Sequence, residues 1–426
     1  MKDFIKKQIK KKAQKLIAEH KPIIVAVTGS VGKTSARNAI ATVLAEKYTV
    51  RSTYKNYNNE FGVPLTILGA PSPGKSVLGW LRILLMKPIN VPEVFVLEYA
   101  VDHPGDMSYL TDVAKPSVSV LTRISPVHAE YFRSVEQLAE EKAEILSATD
   151  SEGLCVMNAD DSLVMGLTEH ASAPVVTYGF QTNADLQATA YTLDTREDFS
   201  FEPGEVFSTL SVTTEAESHD PLVIQLENVL GRSGASSVLP AVVVARHLGL
   251  SNEQILAGIP DITFEPGRMN PLAGIKGSLI IDSSYNAAPA SMKAALDVLA
   301  EFSPAESSRR IAALGYMAEL GQYTEDEHRM IGMYAAEVGV DVLVTVGEMA
   351  QDLRRAAIEA GIPETETHHF TNSVEAGRWL DREINKGDVV LVKGSQSARM
   401  ERVVKDLMAE PLRADDLLVR QGEGWE

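Results

Sequence analysis

The apolar run Ile23-Ile24-Val25-Ala26-Val27 is followed at once by Thr28-Gly29-Ser30-Val31-Gly32-Lys33-Thr34-Ser35, and no other stretch constrains this chain as much. Five consecutive apolar residues, four of them β-branched, read as a parallel strand buried on both faces. The glycines that follow let backbone N–H groups approach phosphate oxygens. Lys33 adds a point charge, and Thr34 can offer its hydroxyl to Mg²⁺. Ala36 to Lys47 then carries apolar residues at helical spacing, so strand, Gly-rich turn and helix come in the required order. The spacing is tighter than in the usual phosphate loop, with two residues between Gly29 and Gly32-Lys33. The reading is a site for ATP or GTP built from Gly29, Ser30, Gly32, Lys33, Thr34 and Ser35. A turn that bound nothing would have no need of Lys33 and Thr34.

With 426 residues and 45% hydrophobic content, the chain can form two or three domains with real cores. Its one cysteine, Cys155, excludes a disulfide framework and a Cys-based zinc site, and points to a reducing cytoplasm. No signal peptide is expected, and no apolar run is long enough to span a bilayer. The net charge is −18, yet Met1 to Lys21 alone carries +6, which leaves −24 on the remainder. An acidic body argues against nucleic acid as a partner.

Three segments follow from the pattern. Residues 1–21 read as a basic amphipathic helix, with Phe4, Ile5, Ile9, Ala13, Leu16 and Ile17 on one side and lysines on the other. It reads first as a helix packed on the first domain with a solvated basic face, and second as a helix that docks on a membrane surface or partner. Residues 22–266 alternate strand and helix, as a parallel α/β domain does, with Val94 to Tyr99 and Ser117 to Leu121 as buried strands. Within it, residues 180–230 alternate in the period of two and suggest a small antiparallel β subdomain. Residues 267–426 alternate again, with strands at Leu279 to Ile281, Ile311 to Leu314, Val342 to Val346 and Val389 to Val392. They predict a second, Rossmann-like doubly wound α/β domain. The apolar run Ser76 to Met86 reads first as a core helix or an oligomer contact, and otherwise as an interfacial helix acting with the basic N-terminus.

Glu98 ends a predicted strand beyond the phosphate loop, where a carboxylate is placed to bind Mg²⁺. His128 and Lys142 carry little weight singly. Together with TGSVGKTS, the segments Asn56 to Thr66, Glu98 to Asp106, His128 and Glu141 to Leu146 closely resemble the Mur ligases. Asp282 to Pro289 (DSSYNAAP), Gly315 to Gly321 (GYMAELG) and Lys393 to Met400 (KGSQSARM) resemble the branch of that family that adds D-alanyl-D-alanine. The resemblance runs from about Pro22 to the end.

The resemblance implies a P-loop Mur-ligase central domain followed by the C-terminal ligase domain, and an ATP-dependent amide ligase. The acceptor carboxylate takes the γ-phosphoryl group as an acyl phosphate, and an amine then displaces phosphate. Lys33 and Thr34 would hold phosphates and a first Mg²⁺, Glu98 would bind metal, and His128 would bind a second Mg²⁺. Lys142 would be carbamylated by CO₂ into a further metal-binding carboxylate. Asn58 and Asn59 would face the substrate, as would Lys393 and Ser395. Arg268, Asp282, Tyr285 and Asn286 would contact the nucleotide, with Arg268 moving in as the domains close. The implied partners are a small amino-sugar-peptide substrate and D-Ala-D-Ala, handled by a monomer in the cytoplasm, with weak contact to the inner membrane face.

Four departures stand out. The segment that grips UDP in the family has no counterpart ahead of the first strand. The G-x-H-N segment reads Gly231-Arg232-Ser233-Gly234, the paired Asp reads Asp282-Ser283, and Tyr316 replaces an Asp. These keep two alternatives open: a Mur-type ligase for another acceptor or a poly-amino-acid, and a nucleotide-binding regulator without ligase activity.

Overall fold

The structure is a computed structural model that describes residues 2–54, 56–86, 90–125, 131–132, 134–217, 219–302 and 308–422. Two sheets organise it. The first has nine strands: β1 (Ile23–Thr28), β2 (Val50–Ser52), β3 (Val94–Glu98), β4 (Val118–Leu121), β5 (Leu154–Asn158), β6 (Val175–Gly179), β7 (Leu186–Thr195), β8 (Ser208–Ala216) and β9 (His219–Glu227), in the order β2-β3-β1-β4-β5-β6-β7-β8-β9. Pairing is parallel from β2 through β7 and antiparallel from β7 to β9.

Side chains of β1 alternate between two cores, which explains its unbroken apolar sequence. Val25 and Val27 enter the core beneath α2 (Lys33–Leu44) and the helix Gly231–His247, whereas Ile24 and Ala26 enter the core on the other face. That second face is covered by α1 (Lys2–His20), α3 (Gly62–Leu68), α4 (Val77–Leu85), α5 (Asp106–Val113) and α6 (Val135–Ala148). In α1, Ile9, Ala13 and Leu16 are buried and form the inward stripe.

The second sheet is β10 (Asn270–Ala273), β11 (Leu279–Ser283), β12 (Arg310–Gly315), β13 (Val342–Val346), β14 (Thr367–Phe370) and β15 (Val389–Lys393), in the order β10-β11-β15-β12-β13-β14. Only β10 is antiparallel to its neighbour. The strand ends that matter for chemistry, at Thr28, Glu98, Ser283 and Lys393, are all C-terminal ends of parallel strands, where α/β sheets hold ligands.

Two expectations from sequence need correction. The stretch read as a small antiparallel β subdomain is antiparallel from β7 to β9, but it extends the first sheet, because Tyr178 and Gly179 of β6 pair with Leu186 and Gln187 of β7. The run Ser76 to Met86 does form a helix, α4, but not a core helix. Only Ile83 is buried, while Val77, Leu78, Leu81 and Leu85 are 51 to 78% exposed. Among the described residues, no helix is long and apolar enough to cross a membrane.

Candidate active site

The phosphate loop turns out of β1 on Gly29 (φ 144°) and closes on Gly32 (φ 87°), the residue that caps α2. It is tied down from the end of β4. Thr122 Oγ1 donates to the carbonyls of Thr28 (3.1 Å) and Val31 (2.8 Å), the Ser30 amide donates to Arg123 O (2.5 Å), and Ser30 Oγ donates to Ser125 O (3.0 Å). A Cβ on Gly29 would lie 2.1 Å from Thr122 Oγ1, so glycine is required there. Lys33 opens α2 and folds over the loop, its Nζ donating to Ser30 O at 3.1 Å. Burial pushes the Lys33 ammonium pKa down, against the pull of Glu98. Ser35 is buried one residue beyond Thr34 in the same first turn.

Thr34 is the hub. Its hydroxyl donates to Glu98 Oε2 at 2.9 Å and accepts from Arg268 Nη2 at 3.3 Å. Asn58 Nδ2 donates to the other carboxylate oxygen of Glu98 at 3.0 Å. Asn59 does something different: its Oδ1 accepts from the amides of Phe61 (3.1 Å) and Gly62 (3.0 Å) and caps α3. Lys142, on α6, is fully buried, and its pKa is pushed down to about 7, first by burial and then by Lys33. His128 lies outside the described residues.

From the second sheet, Lys393 Nζ donates to Ser283 Oγ (3.0 Å) and Asn286 O (2.8 Å). Burial, then Arg268, lowers its pKa to about 7. Asp282 is buried beside it. One of its oxygens accepts from the Ser284 amide at 3.0 Å, the other has no partner among the described residues, and burial lifts its pKa to about 6. The Ser395 amide donates to Tyr316 O, which ties the loop after β15 to the loop after β12.

Sequence reasoning singled out Arg268 and Tyr285 but missed Arg37, Glu265 and Arg420, which help to join the two halves. Arg37 is buried between Glu98 (3.6 Å) and Glu265 (3.5 Å), and Glu265 also meets Arg268 at 3.6 Å. Arg268 stacks on the Tyr285 ring at 4.2 Å, and Tyr285 Oη donates to Asn56 Oδ1 at 3.2 Å. Arg420 holds that loop by donating to the carbonyls of Ser284 (2.6 Å) and Tyr285 (3.0 Å). Arg37 could have been found, since it lies three residues after Thr34 and so on the same side of α2. Glu265 and Arg420 carry no local signal.

The oxygen pair of Thr34 and Glu98 suits a hard cation. Magnesium keeps several waters and takes one or two protein oxygens plus substrate phosphates.

Comparison with known proteins agrees with this arrangement. The family described as "Mur ligase middle domain" matches residues 27–231, and "Mur ligase, glutamate ligase domain" matches residues 267–396. The chain is 30% identical over 388 residues to the UDP-N-acetylmuramoyl-tripeptide–D-alanyl-D-alanine ligase of Synechocystis, covering 91% of this chain and 75% of the relative. It belongs to the Mur ligase family. The corresponding ligase of Escherichia coli is 29% identical, over 90% of this chain and 76% of its own length. Among solved structures, MurF from Acinetobacter baumannii matches with a TM-score of 0.77 at 23% identity, covering 93% of this chain and 79% of that one. MurF from Thermotoga maritima in complex with ADP matches at 0.75 and 23%, covering 94% and 83%. These structural likenesses show that this Mur ligase shares the MurF fold.

Proposed function

We infer that this Mur ligase is an ATP-dependent, ADP-forming peptide ligase that adds D-Ala-D-Ala to a UDP-muramoyl-tripeptide-type carboxylate in peptidoglycan precursor synthesis. One observation carries the reading most. Thr34 of the phosphate loop is bonded both to Glu98 of its own sheet and to Arg268 of the other half. That joins a nucleotide site to the element that delivers the second domain.

The chain's own residues would act as follows. The first amides of α2 and Lys33 hold the polyphosphate. Arg268 lies where it can meet charge on the transferring phosphoryl group. Lys393, near neutrality, can exchange a proton with the incoming amine or the groups around it. Thr34 and Glu98 would hold Mg²⁺, which when bound supplies charge neutralisation between the acceptor carboxylate and the phosphates. His128 and Lys142 would complete a second metal position. An amine that is half neutral at pH 7 can add to CO₂, forming a carbamate and releasing one proton, so the chemistry of Lys142 suits that modification. The reading is of a monomer working in the cytoplasm on small molecules.

A ligase for a different acceptor is the second reading, whereas Tyr316 and the unpaired Asp282-Ser283, which alter groups expected at the nucleotide, favour a regulator without ligase activity. Phosphate release from Mg-ATP, assayed with a panel of acceptor carboxylates and product masses, separates the readings. Release that requires both a UDP-muramoyl-tripeptide and D-Ala-D-Ala supports the first. Release with another pair supports the second. Nucleotide binding with no turnover on any pair would refute both and leave a regulator. Lys142→Ala should abolish turnover without rescue by bicarbonate.

A further inference from the structure

We propose that α1 and α4 together form a docking surface for an anionic lipid bilayer. The proposal stands independently of the ligase reading.

The outward face of α4 is apolar. With about 100° per residue, Val77, Leu78, Leu81 and Leu85 occupy one stripe directly opposite the buried Ile83. Four large exposed aliphatics on nine residues exceed the scattered exposure normal for a surface. The helix is too short to span hydrocarbon, so it can only lie at an interface.

The neighbouring helix supplies the matching charge. Lys12 Nζ donates to the C-terminal carbonyls of α4, at Ile83 (2.7 Å), Leu84 (2.9 Å) and Met86. At the other end, Lys2 Nζ lies 5.4 Å from the Phe61 ring, which contacts Trp80 of α4. The two helices therefore run side by side and form one surface. Lys6 and Lys10 are turned to Tyr109 of α5, and Lys10 pairs with Asp112. The face of α1 opposite Ile9, Ala13 and Leu16 carries exposed Phe4, Lys7, Lys11 and Lys15, of which Lys15 also reaches Glu19 at 3.7 Å. Arg82 and Lys75 are exposed on and beside α4.

Charge selects the occupant. Residues 1–21 carry +6 in a chain of −18. A second copy meeting this face with the same face, across a two-fold axis, would set lysines against lysines. A sheet of anionic headgroups over hydrocarbon meets both the lysines and the leucines.

The test is flotation of the full chain with vesicles of phosphatidylglycerol and phosphatidylethanolamine, against vesicles of phosphatidylcholine alone. Binding to the anionic vesicles that falls steeply with added salt is expected. Lys7→Gln, Lys11→Gln and Lys15→Gln together should weaken it about a hundredfold, at roughly fivefold per lysine. Leu78→Ser, Leu81→Ser and Leu85→Ser together should weaken it by roughly a hundredfold or more. All six positions are exposed, so the fold and nucleotide binding should be untouched. Equal binding to both vesicle types, or unchanged binding by either triple variant, overturns the proposal. So does a dimer, seen by light scattering, that the leucine changes dissolve, since the face would then belong to a second copy.

Discussion

Replacing Lys142 by methionine should make this protein more stable while abolishing its activity. The side chain is 1% exposed, and burial, helped by Lys33, pushes its pKa from 10.5 to about 7. At ~1.4 kcal/mol per pH unit, that displacement corresponds to a ceiling of about 5 kcal/mol. Water entry and local relaxation reduce such penalties, and buried charges replaced by apolar side chains of similar size return about 1–4 kcal/mol. The sign follows from proton counting. Between pH 7 and 10.5 the unfolded chain holds the Lys142 proton and the folded chain does not, so stability gains from this group as pH rises. Below pH 7 both states hold the proton, and the folded state carries the whole penalty. Urea unfolding of wild type and Lys142→Met in CO₂-free buffers from pH 6.5 to 9.5 reads the difference, because every group not coupled to Lys142 cancels. The variant should lead by about 1–4 kcal/mol at pH 6.5, and the gap should close as pH rises. A variant less stable than wild type at pH 6.5, or a gap that ignores pH, would refute the reasoning: the ammonium would then be held by favourable partners instead of merely buried.

Gly29→Ala should abolish ADP binding by calorimetry, because its Cβ would meet Thr122 Oγ1 at 2.1 Å, whereas Gly32→Ala, with nothing nearer than 4.0 Å, should cost only about 1–2 kcal/mol of backbone strain. Equal losses in the two variants would contradict that steric account. Arg268→Lys keeps the charge but loses the planar stack on Tyr285, so kcat should fall at least tenfold with the Kd for ADP within about threefold; an unchanged kcat would remove Arg268 from the mechanism. His328 is buried as the Nδ1–H tautomer, donating to Thr324 O (2.6 Å) and accepting from the Met317 amide (2.9 Å), and burial lowers its pKa. The unfolded chain therefore binds more protons below its ordinary value of 6.5, and stability should drop as pH is lowered there, by at most about 1.4 kcal/mol per pH unit. His328→Asn should flatten that slope in urea titrations between pH 5 and 6.5, and an unaltered slope would rule His328 out as its source.

The phosphate loop was legible because everything that defines it is local: an apolar strand, two glycines, and Lys33-Thr34 at a helix start. Glu98 was legible because a strand end fixes where a carboxylate must go. The ties between the halves were not, because an ion pair such as Arg37 with Glu265 spans 228 residues, and nothing in either segment marks the other. Asn59 shows a different limit. An Asn before a short helix serves its own backbone as readily as a ligand, and here it caps α3. The misreading of α4 has a third cause. Hydrophobicity counts side chains without saying which way they face, and α4 is apolar on its buried side and its exposed side alike.

The buried charges make sense together only when an anion is considered. Lys33, Arg37, Lys142 and Arg268 converge on a region where the carboxylates that offset them are Glu98, Glu265, Asp102 and Glu141. Burial already depresses both lysines, and Lys33 further disfavours the charge on Lys142. A polyphosphate entering this region would add negative charge beside Lys33, raise its pKa and hold a proton on it. The burial penalty on Lys33 in the free protein is thus relieved as the nucleotide enters. A site built this way is unstable for the reason that it binds.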